Sequence, residues 1–301
     1  MILQMRCPVC RKKTVQRKLE GVESKLVRMG SYRRKSDSRR IQRYYCKSCG
    51  KTCSAATFDV CRNQNKRRIN HELKWLLGSC VSMRRAAMML GVSRTTIARK
   101  LVFLGEQSRL EQQHYLEVLD KEAIQHVQFD ELQTIEHTKC KPLSVAVAVS
   151  ECNRKILGVS VSCMPATGHL AKIARKKYGK RRDERRKGLR RLFEQLQGIA
   201  VKKATFLSDE HPYYRQIVAR YFPQSSYVQV LGAKGAVTGQ GELKKIGRDP
   251  LFYINHTLAM LRANINRLVR KTWCTTKKAE RLLDHLSIYM SIHNKLLTPT
   301  F

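Results

Sequence analysis

Val127-Gln128-Phe129-Asp130-Glu131 and Thr205-Phe206-Leu207-Ser208-Asp209-Glu210 are two short runs of strand character, each ending on acidic residues. The chain has 301 residues, with 60 Lys and Arg against 23 Asp and Glu, for a formal net charge of +37. Acids are scarce here, so two placed alike at strand ends call for a reason. A carboxylate pair can hold divalent cations, and a basic surround can hold a polyanion. The two runs therefore predict metal-dependent chemistry on nucleic acid.

A sequence pI of about 10.3 opposes compaction unless a polyanion neutralises the charge. Nucleic acid is the first candidate partner and an anionic membrane surface the second. No apolar run approaches the ~20 residues needed to span a bilayer. The start, Met1-Ile2-Leu3-Gln4-Met5-Arg6-Cys7, lacks a basic region followed by an apolar one, so it does not read as a signal peptide. The expectation is a cytoplasmic, nucleoid-associated protein with no membrane partner. A hydrophobic content of 42% suffices for packed cores, about two or three domains at this length. Eleven cysteines in a chain that is not exported read as metal ligands and buried thiols rather than disulfides.

Two Cys-x-x-Cys pairs, Cys7-Pro8-Val9-Cys10 and Cys46-Lys47-Ser48-Cys49-Gly50-Lys51, have knuckle spacing. Each tight turn points two sulfurs inward, so Cys7, Cys10, Cys46 and Cys49 can present four thiolates to one structural Zn2+. The insert between them carries Arg33-Arg34-Lys35 and Arg39-Arg40-Ile41-Gln42-Arg43-Tyr44-Tyr45, a basic and aromatic pattern suited to a hairpin along phosphates. Cys53 and Cys61 are spare thiols, although Cys53 could compete for the fourth position.

Residues 66–106 read as helix, helix, turn, helix. Ser82-Met83-Arg84-Arg85-Ala86-Ala87-Met88-Met89-Leu90 has helical periodicity and stops at Gly91, and Ser93 is a good N-cap for the helix that follows. This is the pattern of a helix-turn-helix, with Ile97 and Leu101 toward the core. Arg94, Thr95, Arg99 and Lys100 are left to meet a DNA major groove. An ordinary helical pair with a solvated basic face is the alternative.

From about residue 123 onward, 124–132, 144–149 and 156–163 read as strands, with Asn153-Arg154 as a turn. Residues 168–198 read as a long helical stretch carrying Arg175-Lys176-Lys177-Tyr178-Gly179-Lys180-Arg181-Arg182. The next strand, 204–207, ends at Asp209, and amphipathic helices follow at about 250–271 and 277–294. This succession, with an acid ending the first and fourth strands, is the order of an RNase H-like fold. The glycine-rich passage 231–241 lacks the Gly-Lys-[Ser/Thr] ending of a phosphate loop and reads as a mobile connection. The chain is thus expected to be a multidomain α/β (α+β) protein: zinc ribbon 1–62, helix-turn-helix 63–115, RNase H-like catalytic domain 120–301.

A third ligand should come from a later helix. In 249–271, Ile254, Leu258, Leu261, Ile265 and Leu268 form an apolar stripe. Asn255, Arg262 and Asn266 fall on a neighbouring face, Asn255 and Arg262 two turns apart. Laid on the sheet beneath the acids, that face would offer them an amide oxygen and a guanidinium. A polar flank exposed to solvent is the other reading.

These residues together resemble the transposases of small bacterial insertion sequences that join a zinc ribbon and helix-turn-helix to an RNase H-like domain. The resemblance rests on the two cysteine pairs, Phe129-Asp130-Glu131, Leu207-Ser208-Asp209 and Asn255-His256-Thr257-Leu258-Ala259-Met260-Leu261-Arg262. Arg267-Leu268-Val269-Arg270-Lys271-Thr272-Trp273 is similar to that group's basic helix end, and the likeness covers nearly the whole chain. It implies an Asp-Asp-Glu or Asp-Asp-Asn site, here Asp130, Asp209 and Asn255 holding Mg2+ (or Mn2+), with Arg262 as the basic catalytic residue. It also implies strand cleavage and transfer on double-stranded DNA, element ends and target, by a homo-oligomer. With Asn third, one metal binds more weakly or the enzyme is inactive.

Glu242 and Asp249 are alternative third acids, each before the helix and without a basic partner at the i+7 spacing. Glu131 and Glu210 follow the aspartates and point to the opposite strand face. His137, Cys140, His211 and His256 show no knuckle pairing, and His211 is the best placed of them to hold a water or phosphate. Tyr213-Tyr214 reads as packing. A non-catalytic DNA-binding regulator and an RNA-processing nuclease are the rival functions.

Overall fold

The computed structural model describes residues 7–10, 25–118, 124–231, 249–269 and 273–297. The glycine-rich passage 232–241, Glu242 and residues 270–272 lie outside the described residues. The chain divides into two compact units, Met1–Asn70 and His71–Phe301.

In the first unit, β1 (Leu26–Arg33), β2 (Arg40–Cys46) and β3 (Thr52–Ser54) form an antiparallel sheet in that order. The basic insert is thus a two-stranded ribbon. Its turn is held by an Arg34–Asp37 ion pair, and Arg67 pairs with Asp59 at 2.7 Å. The short helix α1 (Ala55–Phe58) follows β3 directly.

The second unit opens with α2 (Asn70–Leu77), α3 (Met83–Met89) and α4 (Arg94–Val118). Ser82 caps α3, its Oγ accepting from the Arg85 amide at 3.2 Å. The helix stops because Gly91 takes φ +59°, which lets Gly91 N and Val92 N donate back to Met88 O and Ala87 O. Ser93 Oγ then accepts from Thr96 N at 3.2 Å and starts α4. Leu73, Leu77, Ala86, Ala87, Ile97 and Leu101 are buried together. The helix α4 runs on for 25 residues, about 37 Å, well past the expected end. Gly105 explains how: a Cβ there would lie 2.6 Å from Asp284 Cβ and 2.7 Å from its Cα. Only glycine lets α4 lie so close to α9 (Ala279–Leu296).

The centre of the unit is a five-stranded sheet in the order β6-β5-β4-β7-β8. β4 (His126–Glu136), β5 (Thr138–Ser150) and β6 (Ile156–Cys163) are an antiparallel meander, and β7 (Thr205–Ser208) and β8 (Ser226–Gln229) continue it in parallel. This is the sheet expected of an RNase H-like domain. Alternation along β5 separates the faces. Ala146 and Ala148 join Val127, Phe129 and Phe206 under α6 (Arg185–Gln197) and α7 (Pro212–Tyr221). Val145, Val147 and Val149 join Leu132 under α8 (Phe252–Asn264) and α9. The residues on the α6 side are small because that helix lies close: a Cβ on Gly188 would sit 2.7 Å from Ser162 Oγ.

Three expectations are corrected here. The stretch 168–198 is two helices, α5 (Leu170–Tyr178) and α6, because Gly179 at φ +76° ends the first. The helix expected over 249–271 ends at Asn264, where Ile265 turns extended (φ −112°, ψ 105°). Ile265, Asn266 and Leu268 are buried beyond that end rather than along a helical stripe. The first strand, expected over 124–132 with an acid ending it, runs to Glu136 because it pairs with β5 along that length, so Asp130 lies inside it; the strand β8 had no counterpart in the sequence reading.

Candidate active site and metal centre

The parallel pairing of β4 with β7 sets the geometry of the acids. Gln128 is paired with Leu207, and Asp130 and Asp209 each stand two residues further on, Asp130 in the middle of β4 and Asp209 just past the end of β7, close enough for the Asp209 charge to act on Asp130. Within β4, Asp130 alternates onto the face of Leu132, which packs under α8. Asp130 Oδ1 accepts from the Glu131 amide at 2.6 Å. Burial, and then the neighbouring Asp209 charge, push the Asp130 carboxyl up to about 7. Burial also raises Asp209, with His211 opposing it. Asp209 Oδ1 is buried without a hydrogen-bond partner. Two carboxyls that repel, one with an unsatisfied oxygen, are a donor set that fits a divalent cation.

Gln128 anchors the helix opposite. Its Nε2 donates to Pro250 O at 2.9 Å and its Oε1 accepts from Ile254 N at 3.1 Å. Two residues before Asp130 and on the same strand face, it fixes the start of α8 against β4. Asn255, the residue after Ile254, is exposed there, and its Nδ2 donates to Asp249 Oδ2 at 2.9 Å. The other Asp249 oxygen accepts from Leu251 N at 2.9 Å and closes the turn into the helix. Arg262 lies two turns on, half-buried in the last turn.

Glu131 faces the other way, as alternation requires. It accepts from Ser144 Oγ at 2.5 Å and from the Tyr214 hydroxyl at 3.5 Å. Tyr214 is fully buried, 4.9 Å from the Phe129 ring. Burial and then the charges of Glu131, Asp130 and Asp209 hold its hydroxyl protonated. The Tyr214 hydroxyl thus serves as a neutral donor to Glu131 and to Asp130. Gln128 and Tyr214 were not read as parts of a site, and Asp249 was read only as an alternative third acid. The one available signal was Gln128, a polar residue inside an apolar strand.

Among the described residues, the group of three or more His, Cys, Asp or Glu whose ligand atoms lie within 4.8 Å of one another is Cys7, Cys10, Cys46 and Cys49. Asp130 and Asp209 belong to no such group of three among the described residues. The Cys7–Cys49 and Cys10–Cys46 sulfurs are 3.6 and 3.7 Å apart. A zinc tetrahedron with Zn–S bonds near 2.3 Å has edges of about 3.8 Å, so the group fits zinc. Burial pushes the Cys10 thiol up to about 12. Burial also works against the Cys46 thiolate, but hydrogen bonds from the Cys49 and Ser48 amides outweigh it and bring Cys46 to about 7. Cys53 stays outside this group, and Cys61 Sγ accepts from Asn70 Nδ2 at 3.5 Å.

On α4, Arg94, Thr95 and Arg99 are exposed. Lys100, expected on the same face, is only 3% exposed. It follows Ile97 by three residues and so shares the buried side of the helix. His137 contacts Lys277 Nζ at 2.9 Å, and Cys140 donates its amide to Thr138 Oγ1, both ordinary polar positions. His211 caps α7, accepting from Tyr213 N at 3.3 Å.

No protein-family model matches the chain, and no curated protein matches it. Among solved structures it is similar to a chain of a pre-cleavage Mos1 transpososome, at 12% identity over 77% of this chain and 79% of that chain, with a TM-score of 0.24. A likeness that distant carries no weight, and the chemistry of the site rests on its own geometry.

Proposed function

We propose that this protein is a DNA transposase of the insertion-sequence type. The observation that supports the proposal is the nearness of Asp130, within β4, and Asp209, just past β7, on neighbouring parallel strands, with a helix start pinned to β4 by Gln128. Asp130, Asp209 and Asn255 would hold Mg2+ or Mn2+. Such cations supply activation of an oxygen nucleophile and stabilisation of the leaving 3′ oxygen. Asp249 holds the Asn255 amide nitrogen, which leaves the amide oxygen as the ligand atom and sets a carboxylate beside a neutral ligand. Arg262 and the basic run 175–182 grip phosphates. Arg94, Thr95 and Arg99 enter the major groove at the element ends. The four-cysteine group, loaded with zinc, stiffens the first unit.

A second reading is favoured by one observation: the third position is the neutral Asn255, and no further acid joins the pair among the described residues. That would suit a DNA-binding regulator that keeps the fold without the reaction. The two separate on duplex DNA carrying the element ends, incubated with Mg2+, wild type against Asp130→Ala. Cleavage by the wild type alone supports the transposase. Equal DNA binding with no cleavage by either protein supports the regulator. Cleavage of RNA but not of DNA would replace both.

A further inference from the structure

A cleft of about 500 Å³ opens where the first turn of α6 faces the first turn of α7. Its walls include Asp183, Arg185, Arg186, His211, Tyr213 and Gln216. The Arg186 guanidinium lies over the Tyr213 ring, 4.8 Å from its centroid. Arg190 engages the same tyrosine by a side-chain hydrogen bond. Tyr213 N is fixed by His211, which caps the helix two residues after Asp209. Arg185 pairs with Asp183 at 2.7 Å and also feels the charge of Glu131, the neighbour of Asp130. The cleft thus begins two residues after Asp209 and lies within reach of the Glu131 charge, and neither the acids nor the α4 surface makes use of it.

Its chemistry is that of a stacking platform. A flat guanidinium–phenol pair offers a π surface that any base can cover, and an adjacent arginine can meet a phosphate. A volume of about 500 Å³ is in the range of small-ligand sites and far too narrow for a duplex. We propose that this cleft takes one unpaired nucleotide of the DNA being cut, with the base stacked on the Arg186–Tyr213 pair and its phosphate facing Arg185. The inference rests on the transposase reading and deepens it. A strand end would be held open there rather than paired.

The test uses the full-length, zinc-loaded protein without added magnesium, so that nothing is cut. The probes are a blunt duplex and the same duplex with a short unpaired extension bearing 2-aminopurine. Wild type should bind the extended probe about tenfold more tightly and change the 2-aminopurine fluorescence on stacking. Arg186→Gln, an exposed position, and Tyr213→Leu, which keeps an apolar contact with the core, should each bring the two probes near parity while blunt binding stays unchanged. Equal binding of the two probes by wild type, or a preference that survives both substitutions, overturns the cleft assignment and leaves the transposase reading standing. Binding to neither probe overturns both.

Discussion

Replacing Asp130 by asparagine should make the metal-free protein more stable while removing its activity. Asp130 is held with its carboxyl raised from 3.8 to about 7, first by burial and then by the Asp209 charge. A carboxyl raised on folding binds its proton more readily in the native state. Its favourable contribution is therefore present below about pH 4 and is lost as the pH rises through 7. At pH 8 the ionised side chain costs about 4 kcal/mol at most, and at pH 5 about 2 kcal/mol. Asparagine keeps the oxygen that accepts from the Glu131 amide and discards the charge. The assay is urea unfolding followed by tryptophan fluorescence. Both tryptophans, Trp75 and Trp273, lie in the unit that contains the acids. Asp130→Asn should gain about 1–4 kcal/mol over wild type at pH 8 and about half as much at pH 5. Saturating Mg2+ should stabilise wild type and close the gap. A variant that is less stable than wild type at pH 8, or a difference that does not change with pH, would refute the claim that the pair is strained without a cation.

The buried imidazole of His285, hydrogen-bonded to Leu77 O, is lowered from 6.5 to about 4 by burial and by Arg267. Its contribution is complete above pH 6.5 and is lost as the pH falls through 4, about 3 kcal/mol in all. That sense is opposite to Asp130, so wild type should show a shallow profile over this window, and His285→Asn should leave a stability that rises as the pH falls from about 7 to 4 in urea titrations. Gly105→Ala drives a Cβ into the Asp284 backbone and should cost about 1–3 kcal/mol, read as a lower midpoint in the same titration. Cys46→Ser should abolish equimolar zinc in atomic absorption and make the first unit open to proteolysis at β1–β2. Arg94→Ala should weaken DNA binding with a salt slope shallower by about one, whereas Lys100→Ala should act on stability because Lys100 is buried.

Much of this was legible because the signals were local. The cysteine spacing, the Gly91 stop and the Ser93 cap each depend on a few neighbouring residues, and the structure draws on the same ones; Asp209 stands past the end of its strand as expected, whereas Asp130 lies within β4 because pairing with β5 carries that strand on to Glu136. What escaped was set by distant partners. Gln128 is a core polar group only because Pro250 and Ile254 arrive to satisfy it. Lys100 fits a solvated basic pattern by type, but its turn of helix is the one carrying Ile97 and Leu101. The 249–271 periodicity continued past the true helix end because Ile265 and Leu268 are buried by the fold in a non-helical segment. Asp249 was weighed as a rival to Asn255, and the structure joins the two by a hydrogen bond.

The central claim is that Asp130 and Asp209 form one cation site. It is tested most directly by titrating Mn2+ into the zinc-loaded protein and following bound metal by electron paramagnetic resonance. Wild type should take up Mn2+ in competition with Mg2+. Asp209→Asn should lose about tenfold or more in affinity, and Asn255→Ala less, because its oxygen is neutral. Equal Mn2+ affinity in wild type and Asp209→Asn, or no uptake by wild type, would contradict the account.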